Sequence, residues 1–206
     1  MSIVKLNNRG VRSATAFGSI TGLGSMTFIK KQTASSSATI SFVDGTSDVV
    51  LDNTYKEYLF TFNNIHPEND DAHFMFQGNA AGGSGYNETI TSSSFRAYHT
   101  ESDSATNVSY GTGSDQAQGT AFQRLLPYMD NDNDSSGSGY LHLFNPSSTT
   151  FVKHFISTAQ GIYNSAYSWN MFIAGYFNTT SAIDEIQFKM SSGDIDAGDI
   201  CLYGIN

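Results

Sequence analysis

Cysteine is nearly absent from this 206-residue chain: Cys201 stands alone, so no internal disulfide can form. Proline occurs three times, and charged residues make up 14%, well under the roughly 25% of an average soluble domain. No apolar run approaches the ~18 residues of a membrane span, and the opening MSIVKLNNRG lacks the apolar centre of a secretory signal. These scarcities exclude a disulfide scaffold and argue against a helical membrane protein. Order has to come from packing. The means are present: 39% of residues are hydrophobic and 13% aromatic, including 15 Phe and 11 Tyr, enough for one core and too much for a disordered chain. The polar surface is left to Ser, Thr, Asn and Gly, a composition typical of extracellular or particle-surface β-proteins.

The net charge of -9 is unevenly placed. Residues 1–31 hold Lys5, Arg9, Arg12, Lys30 and Lys31 and no acid, whereas the remainder holds all 19 acids and 5 bases. A basic leader therefore precedes an acidic body. It is either an ordinary solvated tail or an arm that docks the body on another surface. Nucleic acid is not an expected partner, because the body would repel phosphates and five cations are a weak footprint. Along residues 1–25 neither a helical nor a strand period persists, so the segment is expected to order only by packing on something.

From Met26 onward short alternating apolar runs are separated by turn chemistry. Thr39–Val43 leads into Asp44-Gly45, a hairpin signal. Tyr58, Phe60 and Phe62 alternate within Tyr55–Ile65, which His66-Pro67 should end. Ala72–Gln77, Ser94–Thr100, Gly139–Phe144, Thr150–Ile156, Ser168–Phe177, Ile183–Met190 and Asp199–Ile205 read as further strands, whereas Asp103–Gln118 reads as a long surface connection. Ala121–Met129 is ambiguous between a strand and a short helix, with Pro127 against a long one. About ten strands, almost no helix and no fixed-period repeat predict an all-β antiparallel sandwich, jelly-roll-like, over residues 26–206, preceded by an extended arm, 1–25.

Candidate chemistry is sparse. Asp130, Asp132 and Asp134 alternate oxygen ligands as Ca²⁺ would require, but the loop fails the EF-hand pattern, since Ser135 and Leu141 fall where Gly and Glu belong. Turn formation explains such a loop equally well, and no metal or other cofactor is expected. His142 and His154 lie on neighbouring strands and could face one another, without a carboxylate at ligand spacing. There is no nucleophile elbow, and Cys201 reads as a buried, inert thiol. Glycan hydrolysis would need opposed carboxylates, which Asp130–Asp134 and Asp184-Glu185 supply only by an accident of folding. Tyr110, Tyr163 and Tyr167, near loops with Tyr86, Tyr98 and Trp169, are candidates for stacking on sugar rings; otherwise they pack a core or an interface.

The segments VKLNNRGVRSATAFGSI, LDNTYKEYLFTFNNIHP, SSSFRAYHTE, GYLHLFNPSSTTFVKHF and AGYFNTTSAIDEIQFKMSSGDIDAGDICLYGI resemble those of virion structural proteins of marine tailed phages, cyanophages above all. The resemblance covers nearly the whole chain, and its elements are packing and turn patterns rather than catalytic motifs. It implies a non-enzymatic part of the particle, a capsid decoration or a tail- or fibre-associated component, made in the bacterial cytoplasm. It further implies other virion proteins as partners, self-association as a trimer and no membrane. Ile3, Val4, Lys5, Leu6, Arg9, Val11, Arg12 and Phe17 are then the expected anchoring residues. The alternative is a receptor-binding module that holds a host surface glycan.

Overall fold

The computed structural model describes residues 26–206. The anchoring residues Ile3, Val4, Lys5, Leu6, Arg9, Val11, Arg12 and Phe17 lie outside them. Thirteen strands, all paired antiparallel, make up the described fold, with no helix among them. The larger layer runs β1 (Met26–Ser37), β13 (Ile195–Ile205), β3 (Glu57–Pro67), β9 (Gly137–Phe144), β10 (Lys153–Tyr163), β11 (Tyr167–Phe177) and β5 (Ile90–Thr100), whose far edge is shared by β6 (Thr106–Tyr110) and β7 (Gln116–Gly119). The smaller layer runs β8 (Gln123–Met129), β4 (Ala72–Ala80), β12 (Ile183–Met190) and β2 (Ile40–Val43). The layers meet at one corner, where Tyr163 of β10 pairs with Met129 of β8. Most connections cross from one layer to the other, the jelly-roll-like habit expected of the sequence.

Phenylalanine joins the layers. Strand alternation turns Tyr58, Phe60 and Phe62 of β3 inward, and all three are buried. Rings from the smaller layer meet them edge-on: Phe42 lies 5.3 Å from Phe60, Phe74 5.2 Å from Phe62, and Phe188 5.3 Å from Phe62. Farther along, Phe76 of β4 meets Phe155 of β10 at 5.1 Å. T-shaped pairs at these distances satisfy the ring quadrupoles and add about 0.5–1.5 kcal/mol each beyond area burial.

Several expectations are corrected. The Asp44-Gly45 turn forms, with Gly45 at φ +72°, yet no hairpin follows: β2 pairs with β12, and the chain then crosses to β3 in the other layer. The polar stretch 103–118 is no plain connection, because β6 and β7 add to the edge of β5. Of Ala121–Met129, the residues Gln123–Met129 form the strand β8. Its Pro127 falls where the β4–β8 register slips, at a bulge that needs no proline N–H. Tyr128 there adopts φ +56°, and its N–H donates to Nδ1 of His73 at 2.9 Å. Lys30 and Lys31, counted with the basic leader, belong to β1, where Lys31 Nζ reaches Asp199 at 3.1 Å.

Candidate interaction surface

The inner face of the larger layer is the core. Its outer face is set by the same registers, one residue out of step. Phe172 of β11 lies opposite Phe95 of β5, and Phe95 opposite Tyr110 of β6. On the other side Phe172 lies opposite Thr158 of β10, itself opposite Tyr140 of β9. The next row joins His142, Ile156 and Ala174. Both rows point away from the smaller layer, because Leu141, Leu143, Phe155, Met171 and Ile173, their alternates, are buried in the core.

On this outer face Phe95 is 48% exposed, Ile156 48%, Tyr140 40%, Val108 70% and Tyr110 52%. Phe95 and Phe172 stack with centroids 4.6 Å apart and form a ridge. Shallow hollows flank it. One of about 510 Å³ is floored by Ala174 and walled by His154, Ile156 and Tyr176; another of about 410 Å³ is lined by Ala97, His99, Val108 and Asn170. Every outward position of β9, β10, β11, β5 and β6 is free of Asp, Glu, Lys and Arg. In a chain with 19 acids that is a selective depletion. At its borders Glu57 on neighbouring β3 is paired with Nδ1 of His142, and Asp103 lies 3.2 Å from Nε2 of His99. At the rim the Tyr110 hydroxyl donates to Asp115 at 2.9 Å, and that hydrogen bond raises its pKa.

The three candidate tyrosines do not share a site. Tyr110 is on the outer face. Tyr163 and Tyr167 lie on the inner side at one end of the β10–β11 hairpin, where they pack on the core beside Tyr98 and Trp169. The four rings stack with centroids 4.8–5.6 Å apart, and Arg96 sits 4.7 Å over Trp169. Burial raises the pKa of Tyr163. Rings stacked on one another in this way offer little free face to a sugar.

The remaining candidates are also placed. Asp130 Oδ2 accepts from Ser135 Oγ at 2.7 Å and its Oδ1 from the Asp132 N–H at 3.3 Å, the bonding of an Asx turn. Neither Asp130, Asp132 and Asp134 nor any other three acids, histidines or cysteines among the described residues converge as metal ligands. His142 lies opposite Ile156 rather than His154, which is two residues out of register and opposite Tyr176. Asp184 and Asp130 lie at opposite ends of β4, beside Ala80 and beyond Ala72. At roughly 3.3 Å per residue the length of β4 holds them about 25 Å apart, far beyond the ~5–9.5 Å of a glycosidase pair. Cys201 is buried in β13. Lys153, also buried, donates to the carbonyls of Phe151 and Thr179 at 2.9 and 3.0 Å, and desolvation lowers its pKa.

The sequence reading missed Phe95, Tyr140, Ile156 and Phe172 as surface residues. A signal existed: Tyr140-Leu141, Leu143-Phe144 and Phe155-Ile156 are apolar on successive residues, so both faces of their strands carry apolar side chains. No family model, curated protein or solved structure matches this chain.

Proposed function

We propose that the chain is a non-enzymatic structural protein of a tailed-phage virion, displayed on the particle surface and anchored through residues 1–25. It serves as a capsid decoration or as a tail- or fibre-associated component, made in the bacterial cytoplasm and assembled there onto other virion proteins. The observation that carries this reading is the uncharged aromatic outer face of the larger layer, a surface suited to assembly rather than to turnover. The resemblance to virion proteins supports it. So does a core closed without disulfides, as cytoplasmic assembly requires. The basic leader supplies the anchor, with Lys5, Arg9 and Arg12 choosing an acidic dock and its apolar residues contributing burial at about 25 cal/mol per Å².

Particles assembled with a chain carrying Lys5→Glu, Arg9→Glu and Arg12→Glu test the anchor. The variant should stay folded and be lost from purified virions, as should a chain lacking residues 1–25. Normal incorporation of either rejects the anchor. A receptor-binding role is the second reading, favoured by the half-exposed Tyr110 at the sheet rim. Binding to a glycan array that is lost in Tyr110→Ala would establish it.

A further inference from the structure

We infer that the outer face of the larger layer is where a second copy of this chain docks, face to face, about a two-fold axis. The area is right for it. An aromatic or large apolar side chain presents roughly 150–250 Å². At about half exposure, Phe95, Val108, Tyr110, Tyr140 and Ile156 together offer on the order of 500 Å². A standard interface buries about 800 Å² per partner, of which roughly 56–65% is apolar, or about 450–520 Å². These five residues nearly meet that requirement by themselves.

Charge selects the occupant. Two copies each carrying a net charge of -9 repel wherever their acids meet. The outward positions of β9, β10, β11, β5 and β6 form a broad region of the chain where two copies can touch without opposing like charges. The carboxylates that touch the face, Glu57, Asp103 and Asp115, stand at its borders, each already bonded to a face residue, and leave its middle without an anion for a cationic partner.

Shape supplies the symmetry. The Phe95–Phe172 ridge stands directly beside the hollow floored by Ala174. A two-fold axis between ridge and hollow seats each copy's ridge in the other's hollow, the reciprocal contact an isologous interface requires. The result is a dimer, in place of the three-fold association that the resemblance implies. The inference stands apart from the virion reading, because a solution mass reports on one and particle incorporation on the other.

The test is sedimentation equilibrium of the full-length chain across a range of concentrations. The wild type should approach twice the chain mass of 22.3 kDa. Ile156→Asp and Ala174→Arg, in the wall and the floor of the hollow, should each weaken dimerisation by at least about 30-fold, the effect of losing a central hot spot. Val108→Glu, at a position 70% exposed on the edge strand β6, provides a variant whose folding is not at risk. Unchanged circular dichroism shows that each variant is folded. The triple variant Lys5→Glu, Arg9→Glu, Arg12→Glu should dimerise as the wild type does. A wild type that remains monomeric or forms a trimer overturns the proposal. So does a dimer that survives all three face substitutions or is lost in the leader variant.

Discussion

Phe188 is the residue on which the two-layer packing is most directly tested. It projects from the centre of β12 and is completely buried. Its ring meets Phe60 and Phe62 of the larger layer at 5.5 and 5.3 Å, and Phe42, Phe74 and Phe76 of its own layer at 6.2, 5.7 and 6.3 Å. Truncation to Ala removes the transfer energy of the ring and leaves a cavity whose walls are strands on both sides, with little freedom to collapse. A buried Phe→Ala costs about 3–5 kcal/mol, and the loss of five ring pairs places this one at the upper end. Domains have about 5–15 kcal/mol to lose, so the variant should be marginal at 37 °C. Urea unfolding at neutral pH measures the cost, with Phe188→Leu expected near 1.5 kcal/mol or less. Phe151→Ala is the control, because Phe151 is 69% exposed and its loss should fall within about 0.5 kcal/mol. A Phe188→Ala cost below about 2 kcal/mol would refute the reasoning, since it would mean that the layers do not close on this ring.

Two further predictions concern half-buried titratable groups. His73 accepts the Tyr128 N–H at the β8 bulge, and burial, aided by Arg124, lowers its pKa below 6.5. Its contribution is therefore complete above pH 6.5 and is lost as the pH falls through the depressed folded value. His73→Phe should cost about 1–3 kcal/mol at pH 8 by orphaning that N–H. The gap between wild type and variant should narrow below pH 6.5, and a constant gap from pH 8 to 5 would disprove the assignment. Asp184 has a buried Oδ1 without a hydrogen-bond partner, and burial, with Glu185 and Asp44 nearby, raises its pKa. The ionised form is thus the disfavoured one, and its cost is present at neutral pH and vanishes below the unfolded value near 3.8. Asp184→Asn should stabilise the fold by on the order of 1 kcal/mol at pH 7 and progressively less towards pH 4. A melting temperature that falls at pH 7 would contradict this.

Some of the site was legible in the chain and some was not, for reasons that follow residue by residue. The inward sets Tyr58-Phe60-Phe62, Phe74-Phe76 and Ile186-Phe188-Met190 were visible because alternation is a local property of a pleated strand. The β6 and β7 strands were not, because their short, mostly polar sequences form strands only when the edge of β5 supplies their hydrogen bonds. Likewise the turn at Asp44-Gly45 is local, whereas the strand that β2 pairs with is not. Tyr110, Tyr163 and Tyr167 look alike in sequence, yet the odd-even parity of β5 places Phe95 and Tyr110 on one face and Tyr98, with its stacked partners, on the other.

By itself, then, the sequence determined an all-β chain with its core residues on alternate positions, a single thiol with no disulfide partner and a basic leader on an acidic body. These follow from side-chain period, residue count and charge, none of which depends on what lies next to what. Only the tertiary structure decided that β9, β10, β11, β5 and β6 lie side by side and leave one broad, uncharged, aromatic face in water. That face gathers residues between Phe95 and Ala174, and such a surface comes into being only when strand registers fix which distant side chains become neighbours.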